Sequence, residues 1–497
     1  MTELASPISL PTSHLVLRHG LPGLLGTTCV AVGALGVGWL PGTTELLTSP
    51  IVDSMRSSTS GSMIARSLVL VGLAVLLQSW LLIGADLLHF GAWPVRQLRW
   101  VLLMWAAPLF LAPPLFSRDV YSYYAQGRLF EAGSDPTTVG VGSLPGWFDI
   151  GADPMWTESP TPYGPAFLFI ERTVASIAHP NAYLAGILLR FSSLIGLALL
   201  AVFLPKLAKA YGVDGAMALW VGVLNPLVIM HFVSGAHNDA LMVGLTVLAV
   251  WLGTRNQCLW AAALVGLAAT VKPIGLIALP FIGLQYAGVG ANWARKFKSW
   301  ILTGLAALAV IVAMYLFVGA GYGVLSAAFG TPGGVLTWLS PTTAIGQVIG
   351  GITTVLGITG DAYGVIAVIR TLGTVLSLGA VIWLLVTSDR RTPLRGLALA
   401  FGAVVLLGAV VHPWYVLWAL PLFAASGLNL RERRIMIIVT IVLIIHGMIE
   451  SSTAADNVWD VTDVITFLLA LATVAIISLA SPRERALVLG VNTPAHS

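Results

Sequence analysis

The chain is 497 residues long, 57% hydrophobic and only 9% charged, with a formal net charge of +4 and a mean hydropathy of +0.90. A soluble domain carries about 25% charged residues, so this composition excludes an ordinary water-soluble fold and predicts an all-α, polytopic membrane protein. Its basic residues sit in short loops between apolar runs, which excludes a nucleic-acid patch and fits membrane topology.

A spanning helix needs about 20 mostly apolar residues, fewer where helices shelter one another. By that measure about fourteen spans are expected, near 22–40, 67–90, 100–116, 183–204, 215–231, 240–252, 258–271, 274–286, 300–318, 362–386, 396–411, 416–427, 435–450 and 463–480. The first is read as an anchor and not as a signal peptide, because its apolar run is long for one. The two cysteines, Cys29 and Cys258, both lie in apolar runs, which argues for helix packing over a disulfide or thiolate metal site. The whole of 1–497 reads as one integral membrane domain.

Lys and Arg are retained in cytoplasmic loops. Placing the N-terminus in the cytoplasm puts seventeen of the 25 there, including the Arg295, Lys296, Lys298 cluster, and leaves six outside: Arg56, Arg66, Arg118, Arg128, Arg172 and Lys272. Arg190 and Arg370 fall within spans, where they reach either structural partners or an anionic ligand. Two further apolar stretches, 166–178 and 342–358, would invert this charge asymmetry if counted as spans, so they are expected to be outer re-entrant or interfacial helices. The expected location is the plasma membrane, multi-pass, with two large extracytoplasmic loops at 117–165 and 319–361.

The first of these loops holds the densest polar chemistry. It opens on Ser117-Arg-Asp-Val-Tyr-Ser-Tyr123, which places Arg118 and Asp119 at the end of an apolar run, and closes on Ser159-Pro-Thr-Pro-Tyr-Gly-Pro165. A charge at that depth costs up to about 3 kcal/mol on insertion scales and is usually retained for function. Tyr121, Tyr123, Tyr124, Trp147, Trp156 and Tyr163 give the loop rings that can stack on sugars or form an interfacial belt. Ser234-Gly-Ala-His-Asn-Asp239 offers His237, Asn238 and Asp239 in a turn, able to bind a polar ligand or to cap the next helix. Lys272, the only outer Lys, can reach lipid headgroups or a lipid-linked phosphate. His412-Pro-Trp-Tyr415 occupies the equivalent corner of a later helix pair.

Together these motifs resemble the glycosyltransferase C superfamily and, more narrowly, the actinobacterial polyprenol-phosphomannose-dependent alpha-1,6-mannosyltransferases, over residues 65–450. The resemblance implies transfer of mannose from polyprenyl phosphomannose to a lipid-linked mannan of the lipomannan and lipoarabinomannan core, with inversion, on the extracytoplasmic face. A strict Asp-x-Asp is absent, since Val120 and Tyr121 follow Asp119, so the superfamily's metal site does not carry over. No cofactor or nucleic acid is expected, and a divalent metal stays open.

A lipid phosphate is already a leaving group, so such an enzyme needs one base and a few cations. The expected base is Asp119, ionised without a shifted pKa, with Asp239 as the alternative. Arg118, Arg128 and Lys272 are candidates for the donor phosphate, while Tyr123, Tyr163, His237, Asn238, Asp239, His412, Trp414 and Tyr415 would line the sugar or acceptor pocket. The expected partners are the donor lipid, the mannan glycolipid and the bilayer. Two alternatives remain: a transferase for another polyprenyl-phosphate sugar, such as arabinofuranose or glucose, and a transporter of a lipid-linked sugar, which would concentrate polar groups near mid-span.

Overall fold

The computed structural model describes residues 16–452 except 91–92, 325 and 328–334, together with six scattered positions beyond 452. Most of the expected span 463–480, the basic residues Arg483 and Arg485, and part of the 319–361 loop lie outside the described residues. Within them every regular element is helical, and the only extended pairing is an isolated bridge between Gly140 and Pro160.

Helices occur at the thirteen described positions where spans are expected, and also at Pro165–Ala178 and Pro341–Val355. Far fewer are long and apolar enough to cross a bilayer alone. Five described helices qualify, Val16–Val37, Thr59–His89, Ala182–Ala210, Trp293–Val318 and Tyr363–Val386, and a sixth if a bent pair counts as one span. Helix length alone thus accounts for five or six of the expected spans among the described residues. Residues 239–254, 258–271, 273–287 and 393–407 form shorter apolar helices.

The bent pair shows why the helices are interrupted. Gly215–Gly222 and Pro226–Ser234 meet at 51°, and between them Asn225 accepts the Leu227 N–H while donating through Nδ2 to Thr440 Oγ1 at 2.8 Å. Pro226 supplies no N–H at that position, so the break leaves no donor stranded. Close packing elsewhere uses the absence of a side chain: a Cβ on Gly196 would stand 2.2 Å from the Ala240 backbone, and one on Gly244 would stand 2.5 Å from Gly196 O. The Ala182–Ala210 and Asp239–Thr254 helices thus touch backbone to backbone.

Arg190, from the Ala182–Ala210 helix, is structural. Pro113 and Pro114 end the Val95–Phe110 helix and leave its last carbonyls unpaired. The buried guanidinium donates to Phe110 O at 2.7 Å, Ala112 O at 2.6 Å and Ser234 O at 3.1 Å. Ser234 Oγ in turn accepts the Leu115 N–H at 3.3 Å. One side chain therefore joins the segment leading to Asp119 with the segment leading to His237 and Asp239. Arg370 likewise donates to Thr343 Oγ1 at 2.8 Å and to the Val335 carbonyl, tying the Pro341–Val355 helix to its neighbour.

Candidate active site

Asp119 begins the Asp119–Glu131 helix and Asp239 begins the Asp239–Thr254 helix, and both carboxylates are buried. The backbone just before each is left-handed at a non-glycine residue, Phe116 with φ 69° and Ala236 with φ 54°. Such conformations persist only where surrounding contacts hold them. Here those contacts include the Ser234 and Arg190 bonds.

Each acid receives an indole N–H. Trp156 Nε1 donates to Asp119 Oδ1 at 2.9 Å, and Trp418 Nε1 donates to Asp239 Oδ1. His237 Nδ1 lies 3.6 Å from Asp119 Oδ2, beyond normal hydrogen-bond length. Lys272, in extended backbone ahead of Pro273, places Nζ 2.7 Å from Asp239 Oδ1. Its ammonium also stands 5.0 Å from the Tyr415 ring centroid, 5.2 Å from Trp418 and 5.7 Å from Tyr163. An aromatic cage thus holds it inward, and it does not run out to lipid headgroups.

The two outer turns of the sequence meet here. Trp414 is stacked between His237, at 3.8 Å between centroids, and His412, at 4.4 Å. Tyr415 stacks on Trp418 at 4.1 Å, and Tyr123 meets Tyr163 edge-on at 5.3 Å. Gly164 lies so close to Thr270 that a Cβ would stand 2.5 Å from the Thr270 carbonyl oxygen, which locks the Tyr163 turn against the strand of chain entering Lys272.

Burial sets the charge states. It raises the Asp119 carboxyl to about 7; the Trp156 hydrogen bond and Lys272 oppose the rise, while Asp153 and Asp239 add to it. This corrects the expectation of an unshifted base. Burial also drives His237 far below the ordinary imidazole range, aided by His231 and Lys272, and takes His412 to about 3. Both imidazoles are neutral, and the ammonium of Lys272 is the positive charge of the pocket. Burial and the two nearby carboxylates hold Tyr163 well above its usual range, so its phenol stays protonated. Asp239 Oδ2, His412 Nε2 and both polar atoms of the Asn238 side chain have no protein partner.

The three candidate phosphate cations are not gathered. Lys272 is in the pocket. Arg118 instead turns to Asp153, Nε to Oδ2 3.3 Å, and covers the Trp39 ring at 4.3 Å. Arg128, nine residues along the helix and so about 13 Å from Asp119, engages His179, Glu131 and Tyr124. The remaining expected pocket residues, Tyr123, Tyr163, His237, Asn238, Asp239, His412, Trp414 and Tyr415, do converge. Sequence reasoning missed Trp418 and His231 and gave Trp156 no specific partner. Trp418 stands one helical turn after Trp414, a spacing that places both on one face.

Residues 20–288 match the domain described as "Alpha-(1->6)-mannopyranosyltransferase, N-terminal domain", and residues 342–480 match "MptB C-terminal domain". The chain belongs to the alpha-(1->6)-mannopyranosyltransferase family. It is 32% identical to a probable alpha-(1->6)-mannopyranosyltransferase of Mycolicibacterium smegmatis over 89% of this chain and 85% of the relative. It is 33% identical to alpha-(1->6)-mannopyranosyltransferase A of Mycobacterium tuberculosis, covering 83% and 80%. With alpha-(1->6)-mannopyranosyltransferase B of Corynebacterium glutamicum the identity is 31%, covering 80% and 71%. The chain is thus a membrane mannosyltransferase, working between a sugar donor and an acceptor. Asp119, Asp239 and Lys272 all fall within the N-terminal match, whereas Trp414 and Trp418 come from the C-terminal one. The two matched regions of this mannosyltransferase meet at its polar pocket.

Proposed function

We propose that this mannosyltransferase moves mannose from polyprenyl phosphomannose to the growing α-1,6-linked mannan of a lipid-linked acceptor, with inversion, on the extracytoplasmic face of the plasma membrane. The observation that carries the chemistry is Asp119: a buried carboxylate, raised to about 7 by desolvation, bonded through one oxygen and with the other toward His237. A base poised near the working pH is the most effective kind. Asp119 Oδ2 takes the proton of the acceptor hydroxyl as its oxygen attacks the anomeric carbon from the face opposite the phosphate. The anomeric C–O bond breaks, and the electron pair leaves with the lipid phosphate, whose charge Lys272 offsets. Asn238, His412 and the free oxygen of Asp239 are the polar atoms available for sugar hydroxyls.

Asp239 is the weaker candidate for the base, because its Oδ1 already engages both the Lys272 ammonium and the Trp418 indole N–H. A transport path is disfavoured because the buried mid-helix Arg190 is consumed by backbone carbonyls. The test combines purified protein, polyprenyl phosphomannose and a short α-1,6-mannoside. Asp119→Asn is expected to abolish transfer, and full activity in that variant would move the base to Asp239. Product from an arabinofuranose donor, with none from mannose, would overturn the donor assignment.

A further inference from the structure

A cavity of about 250 Å³ is bounded by Trp39, Arg56, Phe148, Asp149, Gly151 and Arg118, the residue that precedes Asp119. Its walls are fastened from several directions. Trp39 donates its N–H to Pro114 O at 2.9 Å and accepts the Tyr121 hydroxyl at 3.1 Å, and Thr43 N–H donates to Asp149 O at 3.3 Å. Arg56 Nη1 is spent on Leu35 O at 3.1 Å and Gly38 O at 3.0 Å, which fixes the guanidinium. Gly151, at φ 91°, adopts a conformation closed to other residues, and a Cβ there would stand 3.0 Å from the Tyr121 ring.

The charge balance decides what such a cavity takes. Of the charged lining residues Arg56 and Asp149 offset each other, and Arg118 is already paired with Asp153, which lies outside the lining. A phosphate would add uncompensated charge, whereas a ligand rich in hydroxyls meets fixed donors and an acceptor, with the exposed Phe148 ring as an apolar wall. Residues from the 39–56 segment and the 148–151 turn form this cavity rather than lipid-facing helices, so it suits the water-soluble part of a substrate.

We infer that this cavity is a second sugar subsite, holding a neutral pyranose ring of the acceptor chain beyond the ring that reacts at Asp119. The inference rests on the mannosyltransferase reading above and extends it to acceptor length. The subsite rewards acceptors of two or more rings and leaves the donor untouched.

The test compares methyl α-mannoside with methyl α-1,6-mannobioside as acceptors, using full-length protein and the variants Arg56→Gln, Asp149→Asn and Phe148→Ala. Wild type should show a KM about tenfold lower for the two-ring acceptor, and each variant should erase that difference while leaving the one-ring KM and donor KM within about twofold. Asp149 and Phe148 are exposed, so their variants remain informative if Arg56→Gln fails to fold. A rise in donor KM would mean that the cavity holds the phosphate, and equal losses for both acceptors would mean a general distortion; either overturns the subsite. If wild type transfers no mannose at all, the catalytic proposal fails alone, and tryptophan fluorescence titration with the two-ring sugar still reads the cavity. Binding unchanged by Asp149→Asn and Phe148→Ala would then overturn it.

Discussion

Replacing Trp156 with phenylalanine removes one N–H from Asp119 while keeping a ring that excludes water. That N–H, 2.9 Å from Oδ1, stabilises the ionised carboxylate. A hydrogen bond to a charged group contributes about 1.5–3 kcal/mol, and one pKa unit corresponds to about 1.4 kcal/mol, so the carboxyl should rise by roughly 1–2 units. The direction is fixed: losing a donor to the charged form favours the protonated one. Starting from about 7, the ionised fraction at pH 7 falls from about one half to roughly 1–10%. Transfer at pH 7 should drop about 5- to 50-fold and recover as the pH is raised toward 9. The assay is kcat/KM for mannose transfer across pH 5.5–9.5. An acid limb that stays in place, or a loss of the same size at every pH, would refute the role given to Trp156 and with it the assignment of Asp119 as the titrating base.

Lys272→Met should both abolish transfer and destabilise the protein by about 3–5 kcal/mol, because it leaves the Asp239 carboxylate buried without its cation. Thermal unfolding in detergent checks this, and adding Asp239→Asn should restore stability without restoring transfer. Arg190→Met strands three buried carbonyls at about 1–3 kcal/mol each, so little folded protein should survive extraction by size-exclusion chromatography; a wild-type yield would contradict the fastening role. Arg128→Gln should keep transfer within about twofold of wild type, because its guanidinium is turned to His179 and Glu131. A large rise in donor KM would return Arg128 to the phosphate site.

Helices were legible because an apolar run in a membrane chain has few other ways to pair its backbone, and runs such as 183–204 and 300–318 fell inside observed helices. Helix length was less legible. Asn225-Pro226 divides one expected span, and tertiary packing lets short helices such as Cys258–Val271 be buried without being long. In the site, motif chemistry singled out Asp119, His237, Asp239, Lys272 and Trp414, which the structure brings into one pocket. Their pairings were not legible, because the donor to Asp119 lies 37 residues away and the donor to Asp239 lies 179 residues away. The raised carboxyl of Asp119 follows from burial, which no local pattern encodes. Arg118 misled because its guanidinium is taken up by Asp153 and the Trp39 ring, partners that adjacency to Asp119 in sequence does not reveal.

The fastening at Arg190 binds main-chain atoms rather than side chains of the segments it joins. Substitutions along those segments therefore leave its three contacts in place. Exposed positions outside those segments, such as Phe148 and Asp149, can change without disturbing it.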